Sequence, residues 1–145
     1  MKEYGYFQNE GREFVVTTPN TPRHWYNYLF NDDYITFTSQ VGYGEGIVQG
    51  NLGRRVLLAD SRQVYIKDVE SQDFWTVNGI PVYREYEDFR CIHGIGYTEI
   101  KSRYRGIEGS FRLFVPQDAL EELWTVTVKN CTDKIRTIKI IPYVK

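Results

Sequence analysis

The sequence has few cysteines and no long apolar run. Its two cysteines, Cys91 and Cys131, lie far apart, and no stretch approaches the ~20 apolar residues that cross a bilayer. The first residues also lack the apolar segment of a signal peptide. These absences argue against a membrane partner and against a secreted domain held by disulfides. They predict a cytoplasmic protein whose thiols are reduced.

An excess of one charge is also missing. The chain has 18 Lys and Arg against 19 Asp and Glu, which gives a net charge of −1, and the two signs are interspersed. Proteins that bind nucleic acid usually carry a basic patch or stripe that neutralises phosphates. A nucleic-acid partner is therefore not expected.

Metal-ligand motifs are absent as well. His24, His93 and the two cysteines form no CxxC or HxxxH pair, and such clusters are what a metal site needs. Val41–Gly46 is rich in glycine, but a phosphate-binding glycine loop is followed by the start of a helix. The residues after Gly46 do not indicate a helix. We expect no metal and no cofactor, and we interpret these glycines as a bulge or a close backbone approach.

What the sequence does contain is a repeated strand pattern. The chain has 145 residues, of which 41% are hydrophobic and 16% aromatic, so residues 1–145 are predicted to form one domain with its own core. Period-two alternation recurs to the end of the chain, and no segment indicates a helix. The predicted strands are Glu13–Thr17, Tyr34–Ser39, Val64–Asp68, Phe74–Val77, Phe89–His93, Tyr97–Arg105, Ser110–Val115, Leu123–Lys129 and Ile135–Val144.

Turn residues between these strands favour hairpins. Asn9–Gly11, Asn31–Asp33, Asn78–Gly79 and Gly106–Gly109 each tolerate positive φ or bond their own backbone. The fold class is therefore all-β, most simply a two-layer antiparallel β-sandwich, with a closed barrel as the alternative. In the strand from Leu123, alternation predicts that Trp124, Val126 and Val128 face the core.

Candidate catalytic and ligand-binding side chains each have a simpler structural explanation. The acidic groups Glu121–Glu122, Asp32–Asp33 and Glu85–Asp88 lie in predicted turns or connections, where a solvated charge is the expected state. Trp25 and Trp75 could either stack on a sugar ring or pack in a core or interface, since aromatic residues do both.

Ordered blocks along the chain resemble the glycoside phosphorylases of glycoside hydrolase family 94, such as cellobiose phosphorylase. The match includes residues 91–98, within which residues 93–98, His-Gly-Ile-Gly-Tyr-Thr, followed by Phe114–Pro116, form the specific part. One departure is Gly42–Gly46, where cellobiose phosphorylases usually show consecutive glycines followed by aromatic residues. The other matching blocks are Tyr6–Phe7, Arg12–Pro22, Trp25–Leu29, Arg54–Val56, Val64–Asp68, Phe74–Trp75 and Trp124–Asn130.

The resemblance implies an inverting phosphorolysis, in which a carboxylic acid protonates the glycosidic oxygen while inorganic phosphate attacks the anomeric carbon. In this family the acid and most substrate contacts belong to a following helical barrel domain, which has no counterpart here. The chain therefore resembles the N-terminal domain only, a supersandwich of the galactose mutarotase type. It carries no catalytic residue that could be transferred, and alone it is predicted to be inactive.

The resemblance further implies that this domain packs on the helical barrel domain and takes part in a homodimer. An exposed aromatic surface with an arginine is the expected sign of such packing. A free-standing carbohydrate-binding module is the main alternative, and an independent enzyme is a third. The residues expected to contact a partner or a carbohydrate are Trp25, Tyr26, Tyr28, Tyr43, Arg54 and Trp75. All of these except Trp75 are expected to lie in loops rather than in strands.

Overall fold

The structure is a computed structural model that describes residues 3–145, so Met1 and Lys2 lie outside the described residues. Within that range the chain forms thirteen strands and one 3-10 turn at Asn9–Gly11. No helix in this range could cross a membrane. The strands are β1 Gly5–Gln8, β2 Glu13–Val16, β3 Tyr26–Phe30, β4 Tyr34–Ser39, β5 Gly46–Val48, β6 Arg54–Leu57, β7 Gln63–Asp68, β8 Phe74–Thr76, β9 Asp88–Gly94, β10 Tyr97–Tyr104, β11 Ile107–Phe114, β12 Leu123–Asn130 and β13 Ile138–Tyr143.

The strands form one large sheet and two smaller ones. The six-stranded sheet has the order β1-β2-β9-β10-β11-β12, and the others have the orders β3-β4-β5-β6 and β13-β7-β8. All ten strand pairings are antiparallel. The prediction of an all-β, antiparallel sandwich is therefore confirmed, with the second layer divided between the two smaller sheets.

One hydrophobic core joins the large sheet to the smaller ones. Phe111 and Ile100 of the large sheet, Ile66 and Trp75 of the three-stranded sheet and Leu29 of the four-stranded sheet belong to one buried cluster. The predicted alternation of β12 is also confirmed. Its inward side chains pack against this cluster and the intervening ones are exposed; the inward set is Trp124, Val126 and Val128.

A polar network ties the four-stranded sheet to the large sheet. The Asn27 side-chain amide donates hydrogen bonds to the carbonyls of Gly94 and Tyr97, both at 2.9 Å, and to the Thr98 hydroxyl at 3.1 Å. His93 lies beside them, with Nδ1 at 3.2 Å from Thr98 Oγ1 and Nε2 at 3.0 Å from the carbonyl oxygen of Trp25. Side chains thus connect two sheets that share no strand pairing.

Several boundaries differ from the sequence prediction. Four strands, β1, β3, β5 and β6, were not predicted, and β13 begins at Ile138 rather than Ile135. The four missed strands have three to five residues each, and alternation is weak evidence over so few positions. The turn predicted at Gly106–Gly109 is shorter, because Ile107 already pairs with Tyr104 as the first residue of β11.

Other turn and cysteine predictions are confirmed. At Asn31, the side-chain oxygen accepts hydrogen bonds from the backbone N–H groups of Asp33 and Tyr34, which closes the turn between β3 and β4. Gly44 has a φ of +156°, and an added Cβ would lie 1.8 Å from the Phe37 carbonyl oxygen, so the close backbone approach expected for this glycine loop is present. Both cysteines are free thiols.

Candidate interaction face

Strand β3 places alternate aromatic side chains on the outer side of its sheet. Tyr26, Tyr28 and Phe30 are 39%, 58% and 67% exposed, whereas Leu29 between them is buried. The expectation that Tyr26 and Tyr28 lie in loops was therefore wrong, because the five-residue β3 pairs with β4 along its whole length. A solvated sheet face usually carries polar residues, so this face is unusual.

Neighbouring strands continue the apolar surface. Phe37 lies opposite Tyr28, and Ile35 lies between Phe30 on one side and Ile47 on the other. We call this outer surface of the four-stranded sheet the aromatic face. It consists of Tyr26, Tyr28, Phe30, Ile35, Phe37 and Ile47.

The rings make a continuous row. Phe37 contacts Tyr26 edge-on at a centroid distance of 5.4 Å and Tyr28 at 5.7 Å. From Tyr26 the row continues to His24 at 6.0 Å, and His24 stacks on Tyr43 at 4.8 Å. Partial burial, followed by the nearby Tyr43 and Tyr28 hydroxyls, raises the pKa of Tyr26. Tyr43 lies in the loop before β5, as expected.

An arginine borders the aromatic face, but it is not the predicted one. Arg55 lies opposite Ile47 across the sheet and forms an ion pair with Glu45 at 3.0 Å. Arg54 lies opposite Val48, on the other side of β6, because adjacent strand residues face opposite ways. Arg54 is exposed without being part of the face.

The two remaining predicted residues lie away from this face. Trp75 has no exposed surface and packs edge-on against Tyr104 at 5.1 Å, so of its two interpretations the core position is the correct one. Trp25 is half-buried and packs against Phe14 at 5.5 Å and Tyr4 at 6.1 Å. Of the six predicted residues, the structure brings together Tyr26, Tyr28 and Tyr43.

Glu122 differs most from its predicted solvated state. Its side chain is 3% exposed, and its carboxylate accepts two hydrogen bonds from the fully buried Arg62, at 2.6 and 2.9 Å. Trp124 Nε1 donates to it at 2.6 Å and the Tyr34 hydroxyl at 3.2 Å. Its partner Arg62 also donates to the carbonyl oxygen of Gly44 at 2.7 Å.

The contacts of Glu122 determine its protonation state. Burial by itself would raise the pKa of Glu122, but the hydrogen bonds and charge of Arg62 outweigh burial and hold the pKa below its usual value. Burial raises the pKa of Tyr34 to about 12. Glu122 lies in the wall of an apolar cleft of about 500 Å³. A carboxyl held ionised in this way stabilises the structure and is unsuited to act as a general acid.

Cys91 and His93 are neighbours, but their protonation states do not suit a nucleophilic pair. Cys91 Sγ lies 3.7 Å from His93 Nε2, but burial raises the pKa of the thiol and lowers that of His93 to about 4. A nucleophilic pair needs a thiolate that a base or cation stabilises. Within residues 3–145, no group of three or more acidic, His or Cys side chains is arranged to hold a metal ion.

Comparison with known proteins agrees with the β-sandwich fold. The family model described as "Glycosyl hydrolase 94, supersandwich domain" matches residues 12–145. A 3-O-beta-D-glucopyranosyl-beta-D-glucuronide phosphorylase of Paenibacillus borealis is 43% identical over 94% of this chain. A solabiose phosphorylase of the same organism is 34% identical over 100% of it, and an N,N'-diacetylchitobiose phosphorylase of Vibrio proteolyticus is 31% identical over 99%. The chain spans 18%, 20% and 19% of their respective lengths.

Proposed function

Because the chain belongs to the glycosyl hydrolase 94 family and forms its supersandwich domain, we propose that it is the non-catalytic N-terminal domain of a longer inverting glycoside phosphorylase. The whole enzyme would cleave a β-linked glucosyl disaccharide or oligosaccharide with inorganic phosphate. This domain serves packing against a helical barrel domain and formation of a homodimer. A cytoplasmic location agrees with its two free thiols.

The aromatic face carries the packing part of this proposal. Tyr28 and Phe30 are more than half exposed on a sheet face whose opposite side is already in the core. Strands that are apolar on both faces are typical of sheets covered on both sides. The aromatic face is therefore the surface that we assign to the helical barrel domain or to a second subunit.

The carboxyl groups support the non-catalytic part. Phosphorolysis with inversion needs one carboxylic acid that remains protonated near neutral pH, which requires a raised pKa. In the described part of the chain, the six carboxyl groups with a resolved pKa shift are all lowered: Glu13, Asp68, Glu70, Asp73, Glu108 and Glu122. The acid of the reaction is thus expected outside these residues.

A second candidate, a free-standing carbohydrate-binding module, is favoured by one observation. The row from Tyr43 through Tyr26 to Tyr28 offers stacked and exposed rings with hydroxyl groups at their tips. Such rings can contact the apolar face of a sugar while their hydroxyls bond to it. This candidate needs no second domain.

Two experiments separate the candidates. One is calorimetric titration of the chain with β-linked gluco-oligosaccharides, and the other is an assay for sugar phosphate in the presence of inorganic phosphate. The non-catalytic domain is expected to give neither heat nor product. Saturable heat without release of sugar phosphate would favour the binding module. That heat should then be lost in Tyr28→Ala and retained in Leu52→Ala, a control at another exposed residue. Release of sugar phosphate by the purified chain would contradict the proposal.

A further inference from the structure

The turn after β8 contains Asn78, which is the only asparagine of the sequence that is followed by glycine. Asparagine is a thermolabile residue, and a following glycine favours its deamidation because glycine has no Cβ to hinder its backbone nitrogen. Asn78 nevertheless has no exposed surface. A chemically reactive pair, Asn78–Gly79, therefore lies in the interior of the fold.

The side-chain amide of Asn78 connects two neighbouring segments to this turn. Nδ2 donates hydrogen bonds to the carbonyls of Arg62 at 2.6 Å and Val41 at 3.4 Å, and Oδ1 accepts one from the N–H of Val64 at 3.2 Å. Gly42 has a φ of +78°, and an added Cβ there would lie 2.3 Å from Nδ2. The amide is thus enclosed, and both its nitrogen and its oxygen have protein partners.

The backbone nitrogen of Gly79 is also held. Its N–H donates to the carbonyl of Thr76 at 3.3 Å, which closes the turn. Cyclisation would require this nitrogen to lose its proton and reach Cγ of Asn78. The Thr76 bond and the bonds of the side-chain amide must therefore break first, which requires local opening of the fold.

We propose that Asn78–Gly79 is a self-modification site that reacts only when this part of the chain unfolds. In the first step the Gly79 nitrogen forms a bond to Asn78 Cγ, the bond from Cγ to Nδ2 breaks, and ammonia leaves with the proton of the Gly79 nitrogen. Water then opens the resulting cyclic imide at either carbonyl, which yields aspartate or isoaspartate. No oxidant, reductant or metal takes part.

The product does not fit the site that the amide occupied. A carboxylate has no hydrogen to donate, so an oxygen would replace Nδ2 beside the carbonyl oxygens of Arg62 and Val41. The Arg62 guanidinium does not compensate this charge, because it already binds Glu122 and the carbonyl of Gly44. Isoaspartate would also lengthen the backbone within a buried turn. A chain that has reacted is therefore unable to regain this fold, and the site records time spent unfolded.

The inference concerns buried groups, so it is independent of the proposed function and of whatever covers the surface of the domain. The purified 145-residue chain is incubated in mildly alkaline buffer with and without unfolding concentrations of guanidinium chloride. Peptide mapping by mass spectrometry measures the conversion of Asn78. We expect conversion in the folded chain to be at least about a hundredfold slower, because the reaction waits for an opening that costs much of the free energy of unfolding.

Leu52→Gly supplies the matched control. It places a glycine after Asn51 in an exposed loop, where Leu52 is 99% exposed. Asn51 in this variant should convert at rates within a few-fold of each other in the two buffers. The protection of Asn78 is then assigned to the fold and not to the buffer.

Asn78→Asp tests the effect of the aspartate product. At neutral pH its midpoint of unfolding in guanidinium chloride should be lower than that of the unsubstituted chain, or the variant should not fold, whereas Asn51→Asp should leave the midpoint nearly unchanged. An aspartate buried without a cation has a folded pKa above its unfolded value near 3.9. The loss is therefore largest above the folded pKa, and it should shrink as the pH falls toward about 3.9.

Three results would overturn the inference. One is conversion of Asn78 at the same rate in the folded and the unfolded chain. Another is an Asn78 that stays unconverted in guanidinium chloride while Asn51 of the Leu52→Gly variant reacts. The third is a converted chain, or the Asn78→Asp variant, that unfolds at the same midpoint as the unmodified chain at neutral pH.

Discussion

At the scale of single residues, the buried pair of Arg62 and Glu122 fixes the connection before β12 to the four-stranded sheet. Arg62 precedes β7 by one residue, yet it bonds to the carbonyl of Gly44 and to the hydroxyl of Thr36 in β4. Glu122 immediately precedes β12. The pair therefore joins parts of all three sheets through polar contacts that are almost fully enclosed.

Removal of one partner should be costly. Arg62→Met leaves the Glu122 carboxylate buried without its counter-charge, and we expect the free energy of unfolding to fall by about 3–5 kcal/mol. Urea unfolding followed by tryptophan fluorescence measures this change. The matched control Arg55→Met breaks an ion pair whose arginine is 57% exposed, and it should cost less than about 1 kcal/mol.

A double variant checks the mechanism of that loss. Arg62→Met/Glu122→Met removes both charges and leaves two flexible apolar side chains, so it should recover part of the stability lost in Arg62→Met. A double variant less stable than the single one would contradict the explanation by an uncompensated charge.

At the scale of elements, alternation predicts the longest strands most clearly. β10, β11 and β12 each have eight residues, and the alternation places all three. β3 has five residues and carries aromatic or apolar groups on both sides, so it shows no contrast between a buried and a solvated face. Tyr26 and Tyr28 are therefore predicted as contact residues in a loop, whereas they lie in β3.

Glycine at one strand position sets the spacing between layers. Gly109 in β11 faces the three-stranded sheet, and an added Cβ would lie 2.7 Å from Ile66 Cδ1 and 2.8 Å from Val77 Cγ2. Turn chemistry predicts Gly109 in a turn, because neither the strand period nor the turn residues reveal which residue meets the opposite sheet.

Gly109→Ala should therefore overpack the core and lower the free energy of unfolding by about 1–3 kcal/mol. Ser110→Ala is the matched control, since Ser110 is the next residue of β11 and faces away from the core; its effect should stay within about 0.5 kcal/mol. Denaturant unfolding measures both changes. Adding Ile66→Val to Gly109→Ala removes the closest methyl group, so the double variant should lose less stability than the two single variants together. A loss of free energy of unfolding equal to their sum would contradict this account.

For the whole molecule, the family could be predicted from ordered blocks, but the pairing of distant charges could not. A glutamate in a predicted connection is solvated by default, and nothing near Glu122 in the sequence indicates that Arg62, sixty residues earlier, will neutralise it. For a similar reason Arg54 is predicted for this surface, whereas Arg55 is the arginine that borders the aromatic face. Which side of a short strand a residue faces is known only from the residue it pairs with, here Ile47 for Arg55.

The free energy of unfolding of the whole molecule should depend on pH through the protonation of His93. His93 Nε2 donates to the carbonyl of Trp25, and Nδ1 accepts from the hydroxyl of Thr98, which describes a neutral imidazole. Burial lowers its pKa to about 4 in the folded protein, whereas the unfolded chain has a value near 6.5. Between these values the unfolded chain binds more protons, so stability is fully present above about pH 6.5 and is lost as the pH falls toward 4.

The loss through this one group should reach about 3 kcal/mol at pH 4. The carboxyl groups with lowered pKa, such as Glu108 and Glu122, act in the same direction, but only as the pH falls below their ordinary values near 4.5. Urea unfolding at a series of pH values should therefore show a decline from pH 6.5 to 5 that His93→Gln lacks, although that variant is less stable at neutral pH. An equal slope in both proteins would contradict the assignment of this decline to His93.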